Sequence, residues 1–296
     1  MPTSSSDQPH YSLLFLDVDG TLVGHDDLPS PRTVAALRAA HAAGCVIVIC
    51  TGRHRHSVEP IVAHWAMAND GGAGTYGAYC NGAVLVDLAT GRTLNKLGLA
   101  DAIVQKAIGL AHDQGLAPLL YGVHVEEDAG WAVYTDRRRP VSSDWAAMHG
   151  HRLHYQDESD GATPLSPVDM GVYGSEQAVR SVAEAWRREI GPAVIVYDAP
   201  EPKVGPSCWG AFLNNRAADK AHAAAQVAEM LGIPRERTMA IGDHLNDRKL
   251  LRWAGLGVCM GDGHAEAQAC AAHITDSLAD DGAAQAIERF VMGWTI

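Results

Sequence analysis

The chain has no Cys-x-x-Cys pair, no apolar run long enough to span a bilayer, and few basic side chains for its size. Each shortage excludes a class of function. The six cysteines, Cys45, Cys50, Cys80, Cys208, Cys259 and Cys270, stand mostly in apolar runs. There cysteine behaves as a small hydrophobe, so structural zinc and disulfides are not indicated. The opening Met1 to His10 is polar and lacks the basic-then-apolar order of a signal peptide. With no membrane-spanning run either, the expectation is a reducing, cytoplasmic compartment and no membrane partner. Lys and Arg number 23 against 35 Asp and Glu, a formal net charge of −12, which argues against nonspecific binding to nucleic acid or to an anionic membrane surface. No internal repeat or low-complexity segment is present.

What is present suffices for a sizeable core: 296 residues, 47% of them apolar, with about two domains expected from length. Leu13-Leu14-Phe15-Leu16 reads as a strand buried on both faces, delivering Asp17, Asp19 and Gly20 to its C-terminal end. That end is where open α/β sheets bind ligands. Side chains alternate along an extended strand, so Asp17 and Asp19 are expected on one side. Two acids so close repel unless a cation or a proton intervenes. An Asp-Gly turn alone would explain Asp19-Gly20 and leave Asp17 without a reason.

Downstream, Ser30-Pro31 opens an Ala-rich helix ending near Gly44, and Cys45 to Cys50 is a buried strand running into Thr51-Gly52-Arg53. A helix from about Ser57 to Met67 follows. The Gly-rich stretch Asn69 to Gly77 fits G-x-G-x-x-G, but it follows a helix and leads into a strand, Ala78 to Val86. That is the reverse of the dinucleotide fingerprint, so it reads as a turn. From about Asp87 the texture changes to half-buried alternation. Helices at Asp101 to Gln114 and Glu176 to Glu189 are interleaved with strands at Leu119 to Val125, Trp131 to Thr135, Val168 to Tyr173, Ala193 to Tyr197 and Cys208 to Leu213. This predicts an antiparallel sheet with helices on one face. The first pattern then resumes with a helix, Ala217 to Leu231, that carries Lys220, and a strand, Thr238 to Ile241, that ends in Gly242-Asp243-His244-Leu245-Asn246-Asp247. A short strand, Gly257 to Met260, and a helix at about Gly282 to Met292 close the chain. The expected fold class is α/β: a Rossmann-like parallel-sheet core domain (1–86 and 213–296) with an inserted α+β cap domain (87–212).

Taken in order, Asp17-Val18-Asp19-Gly20-Thr21, Thr51-Gly52-Arg53, Lys220 and Gly242-Asp243-x-x-Asn246-Asp247 resemble the four motifs of the haloacid dehalogenase (HAD) superfamily. With Asn81-Gly82-Ala83 and Asp280-Asp281-Gly282 they are similar to its Cof-type phosphatase branch, in which a large α/β cap lies between the second and third motifs. The resemblance implies a Mg²⁺-dependent phosphatase acting on a small soluble phosphate monoester, such as a sugar phosphate, through an aspartyl-phosphate. In that reading Asp17 is the nucleophile and Asp19 the acid, then base, for leaving oxygen and water. Lys220 neutralises charge, and Thr51, Gly52 and Asn246 bind the phosphoryl group. Arg53 and Asn81 at the rim touch the rest of the substrate. Mg²⁺ falls to Asp17, the backbone carbonyl of Asp19, Asp243 and Asp247. The cap is expected to close over the site and select the leaving group. His244 and Asp262 depart from the branch, which more often has a small polar residue and an asparagine there.

The expected partner is a small phosphorylated metabolite, for a monomer or a homodimer. His149, His151 and His154 are unevenly spaced in a polar loop and read as solvated histidines, and Arg137-Arg138-Arg139 as a solvated charge run. A phosphomutase using the same aspartyl-phosphate, and a catalytically silent sugar-phosphate-binding protein, remain open alternatives.

Overall fold

The computed structural model describes residues 9–63, 75–124, 131–136, 153–156, 165–201 and 204–294. The chain divides into two compact units, Met1–Asn95 with Ala218–Ile296, and Lys96–Ala217. The expected boundaries at 86/87 and 212/213 therefore move to 95/96 and 217/218. The end of the expected helix at Met67, most of the Gly-rich stretch, His149, His151 and Arg137 to Arg139 lie outside the described residues.

In chain order the elements begin with β1 (Leu13–Leu16), α1 (Pro31–Ala42), β2 (Val46–Cys50), α2 (Arg55–Val62), β3 (Thr75–Tyr79), β4 (Val84–Asp87) and β5 (Thr93–Lys96). The second unit carries α3 (Asp101–Asp113), β6 (Leu119–His124), β7 (Trp131–Asp136), β8 (Leu153–Gln156), β9 (Leu165–Gly174), α4 (Glu176–Glu189), β10 (Val194–Pro200) and β11 (Trp209–Asn215). The chain then returns with α5 (Lys220–Leu231), β12 (Thr238–Gly242), α6 (Arg248–Trp253), β13 (Leu256–Cys259), α7 (Ala265–Gln268), β14 (His273–Ile274) and α8 (Gly282–Ala286).

The first unit is an α/β layer built on a sheet of order β14-β13-β12-β1-β2-β3-β4-β5, parallel from β14 through β3. Its central strands are apolar at nearly every position because both faces are covered. Leu13, Phe15 and Val48 pack with Ala223, Ala224 and Val227 of α5 and with Leu250 and Leu251 of α6. Local signals fix the helix ends. Ser30 Oγ accepts from the Thr33 N–H at 3.0 Å, Pro31 is the first helical residue of α1, and α5 stops at Gly232 with φ of 64°.

The expected single strand from Ala78 to Val86 is instead a hairpin: β3 and β4 are antiparallel, joined by a 3₁₀ turn at Cys80–Gly82. Cys80, Asn81 and Gly82 all have positive φ, a sharp reversal that an Asn-Gly pair tolerates. β5 lies at the sheet edge beyond β4, which is why the first unit runs past residue 86.

The second unit holds a sheet of order β10-β11-β9-β6-β7-β8, antiparallel except for the parallel β7-β8 pair. Val104, Ala107 and Ala111 of α3 and Val179, Val182 and Trp186 of α4 share one core with Met170, Val172, Ala211 and Leu213 of the sheet. Trp186 is fully buried, and its Nε1–H donates to the Ala107 carbonyl at 3.1 Å.

Candidate active site

β1 sits between β2 and β12, so successive strands leave it in opposite directions and the strand order reverses there. Such a switch point opens a crevice at the carboxyl ends of the strands. Asp17 follows β1, Thr51 follows β2 and Asp243 follows β12. The Asp17 N–H donates to the Ile241 carbonyl at 3.0 Å, which ties the first motif to the fourth.

Lys220 is the first residue of α5 and its side chain is fully buried. Its Nζ donates to Asp17 Oδ1 at 2.7 Å and to Asp247 Oδ1 at 2.6 Å. Asp247 Oδ2 accepts the N–H groups of Asp243 at 3.1 Å and His244 at 3.0 Å. Both Asp247 oxygens are thus engaged by protein donors. A Cβ on Gly242 would stand 2.5 Å from Asp247 Cγ, and a Cβ on Gly20, whose φ is 71°, only 2.3 Å from Asp243 Oδ2. Both positions need glycine so that the carboxylates can approach the backbone.

Asp17, Asp243 and Asp247 each bring a carboxylate oxygen within 4.8 Å of the others. Burial, with the charges of Asp247 and Asp243 behind it, pushes the Asp17 carboxyl well above the ordinary range despite the opposing Lys220. Asp243 is raised by burial and by Asp247. Burial alone would lower the Lys220 ammonium, but the Asp17 and Asp247 charges outweigh it and hold Lys220 above the ordinary lysine value. One ammonium among three carboxylates leaves this cluster short of positive charge. Asp243 Oδ1 is moreover buried with no hydrogen-bond partner. An all-oxygen donor set with an unpartnered inward oxygen fits a hard cation such as Mg²⁺.

Asp19 is placed elsewhere. Its side chain is 54% exposed and it is paired with Arg53. Regular strand pairing ends at Leu16, and the Val18 carbonyl accepts from the N–H groups of Thr21, Leu22 and Val23. The chain is already turning at Asp19, so the alternation expected of an extended strand does not carry its carboxylate to the Asp17 side. Arg53, expected at the rim toward the substrate, instead spends its guanidinium on Asp19 and on Asp27. Asp27 was absent from the sequence reading because nothing in its spacing marks it.

Thr51 is buried, and its Oγ1 accepts from the Arg53 N–H at 3.0 Å. Asn246 Nδ2 donates to Asn81 Oδ1 at 2.9 Å, and that same oxygen lies 3.2 Å from where a Cβ on Gly52 would sit. Gly52, Asn81 and Asn246 are therefore neighbours, drawn together by the turn after β3. His244 and His264 stack edge to face at 5.7 Å, and Asp262 accepts from the Leu278 N–H at 3.3 Å.

A family model described as haloacid dehalogenase-like hydrolase matches residues 14–287. The chain belongs to the haloacid dehalogenase-like hydrolases. A phosphatase of this family type from Bacillus subtilis, the 5-amino-6-(5-phospho-D-ribitylamino)uracil phosphatase YcsE, is 24% identical over 280 residues, covering 95% of this chain and 96% of its own. A haloacid dehalogenase-like hydrolase from Bacteroides thetaiotaomicron superposes with a TM-score of 0.78 at 23% identity, covering 94% of this chain and 99% of that one. A HAD subclass IIB sugar phosphatase gives 0.70 at 22% identity, over 94% and 98% of the two chains. These structures share the fold. The chain is accordingly a phosphoric monoester hydrolase of this family. No described helix is long and apolar enough to cross a membrane.

Proposed function

We propose that this haloacid dehalogenase-like hydrolase is a Mg²⁺-dependent phosphatase that removes the phosphoryl group of a small phosphorylated metabolite through an aspartyl-phosphate on Asp17. The observation that carries the reading is the buried Lys220 bridging Asp17 and Asp247 beside the unpartnered Asp243 Oδ1. Mg²⁺ would be held by Asp17 and Asp243 with the main-chain carbonyl of Asp19, and when bound it supplies the positive charge that a phosphate dianion and clustered carboxylates need. Asp247, saturated by Lys220 and two N–H groups, orients Asp243 and Lys220.

The residues of the chain then divide the reaction. Asp17 Oδ attacks phosphorus while the bond to the leaving oxygen breaks, and Asp19 gives that oxygen its proton. An in-line displacement sets the leaving oxygen opposite the nucleophile, so its acid belongs outside the Asp17 cluster, where Asp19 stands. Lys220 stays charged and offsets negative charge on Asp17 and on the transferring group. The Thr51 hydroxyl and the Gly52 N–H bind phosphoryl oxygens, with Asn81 and Asn246 beside them. Water then cleaves the Asp17 phosphate with Asp19 as base.

The substrate class rests on what relatives are named for: the ribitylaminouracil phosphatase of Bacillus subtilis, an HMP-PP phosphatase of Yersinia pseudotuberculosis and a sugar phosphatase. All are small phosphorylated compounds. We assign the inserted unit, Lys96–Ala217, the role of selecting among them. The test is a panel of phosphate esters assayed for inorganic phosphate with and without Mg²⁺. Mg²⁺-dependent release from small esters supports the reading. Isomerised product without phosphate, or stabilisation by an ester without turnover, would replace it with a mutase or a binding protein.

A further inference from the structure

Arg53 grips Asp19 with both edges of one planar group. Its Nε donates to Asp19 Oδ2 at 2.8 Å and its Nη2 to Asp19 Oδ1 at 2.5 Å. The same Nη2 donates to Asp27 Oδ1 at 2.6 Å. Arg53 is itself only 14% exposed, whereas Asp19 is mostly in solvent. An exposed aspartate on its own samples several rotamers, and a guanidinium held from behind removes that freedom. Exposed ion pairs add little stability, so the value of this one lies in orientation. Asp27 supplies the hold from behind. It sits in the turn after the first motif with φ of 56°, a conformation aspartate tolerates.

The chemistry of the fork points to one step. A carboxylate whose two oxygens accept from an arginine is kept ionised, which is the form that takes a proton, and each oxygen retains a second lone pair for it. We propose that Arg53, anchored by Asp27, is the positioning pair that sets Asp19 as general base for hydrolysis of the phosphorylated Asp17. This rests on the aspartyl-phosphate reading above. In that step a water oxygen bonds to phosphorus and the water proton passes to an Asp19 oxygen. The bond from phosphorus to Asp17 breaks, its electron pair returns to the Asp17 carboxylate, and inorganic phosphate leaves. Asp27 is thereby a residue of the hydrolytic half-reaction that touches neither substrate nor metal.

The test is rapid-mix kinetics of the full chain with Mg²⁺ and p-nitrophenyl phosphate, whose good leaving group needs little help from an acid. Asp27→Ala and Arg53→Lys are expected to release about one nitrophenolate per chain in a burst, then turn over about 10-fold more slowly than the parent. Acid-quenched samples of both should carry covalent phosphate, and Asp27→Glu should restore the parent rate. Unchanged kinetics in both variants overturn the proposal, as does a fall in burst and steady phases together without trapped phosphate. If Asp19→Asn traps phosphate and the fork variants do not, the fork assignment fails and the aspartyl-phosphate reading stands. If no chain, parent or variant, ever carries phosphate, that reading fails first.

Discussion

Lys220 and Asp17, 203 positions apart in sequence, meet at 2.7 Å in a site from which the lysine side chain is wholly shielded. A buried ammonium is tolerated only when paired, and Asp247 at 2.6 Å completes the pairing. The lysine is thus a structural counter-ion for the carboxylates and, in the proposed reaction, the charge that steadies phosphoryl transfer.

Replacing Lys220 with methionine should therefore do two things. Turnover should be lost, and the metal-free protein should lose about 3–5 kcal/mol, because clustered carboxylates are left without their cation. Urea melts in chelator check the second effect, and a loss below about 1 kcal/mol would contradict the counter-ion role.

Asp17→Asn should behave oppositely in stability. The Asp17 environment disfavours its charge on balance, through burial first and then the Asp247 charge. Neutralising it should leave the melting temperature in chelator unchanged or higher while turnover falls at least about 1,000-fold. Thermal melts alongside phosphate release decide this.

Mg²⁺ should stabilise the chain by linkage, by about 2.7 kcal/mol at roughly 100 times its Kd. Asp243→Asn should shift the Mg²⁺ titration of the melting temperature at least about 10-fold to higher concentration. An unchanged titration would remove Asp243 from the metal site.

Without metal, pH should act in an unusual direction. Asp17 and Asp243 have folded-state values above their unfolded ones, so the folded chain holds their protons more tightly. Stability contributed this way is full below the ordinary carboxylate range and is lost as pH rises through the raised values. Denaturant melts in chelator should show greater stability at mildly acid pH than at neutral pH. Saturating Mg²⁺ should flatten that slope.

The sequence exposed much of this because the central strands are continuous apolar runs and each motif sits where such a run stops. Glu176–Glu189 is found at its expected limits because Ser175 caps it and its apolar face is regular. Short strands were opaque: His273–Ile274 and Leu153–Gln156 have too few residues to show a period. The turn at Cys80–Gly82 was hidden inside an apolar stretch, although Asn81-Gly82 is itself a hairpin signal. Asp19 was misplaced because periodicity describes strands, and strand geometry ends three residues before it at Leu16. Its partnership with Arg53 and Asp27 comes from loop geometry that no spacing rule encodes.

The account turns on where the phosphoryl group goes. Single-turnover reaction with Mg²⁺ and a labelled ester, quenched in acid and reduced with borohydride, converts a phosphorylated aspartate to homoserine at its own position. Homoserine at position 17 is the predicted result. Rapid turnover with the modification at another aspartate, or at none, would contradict it.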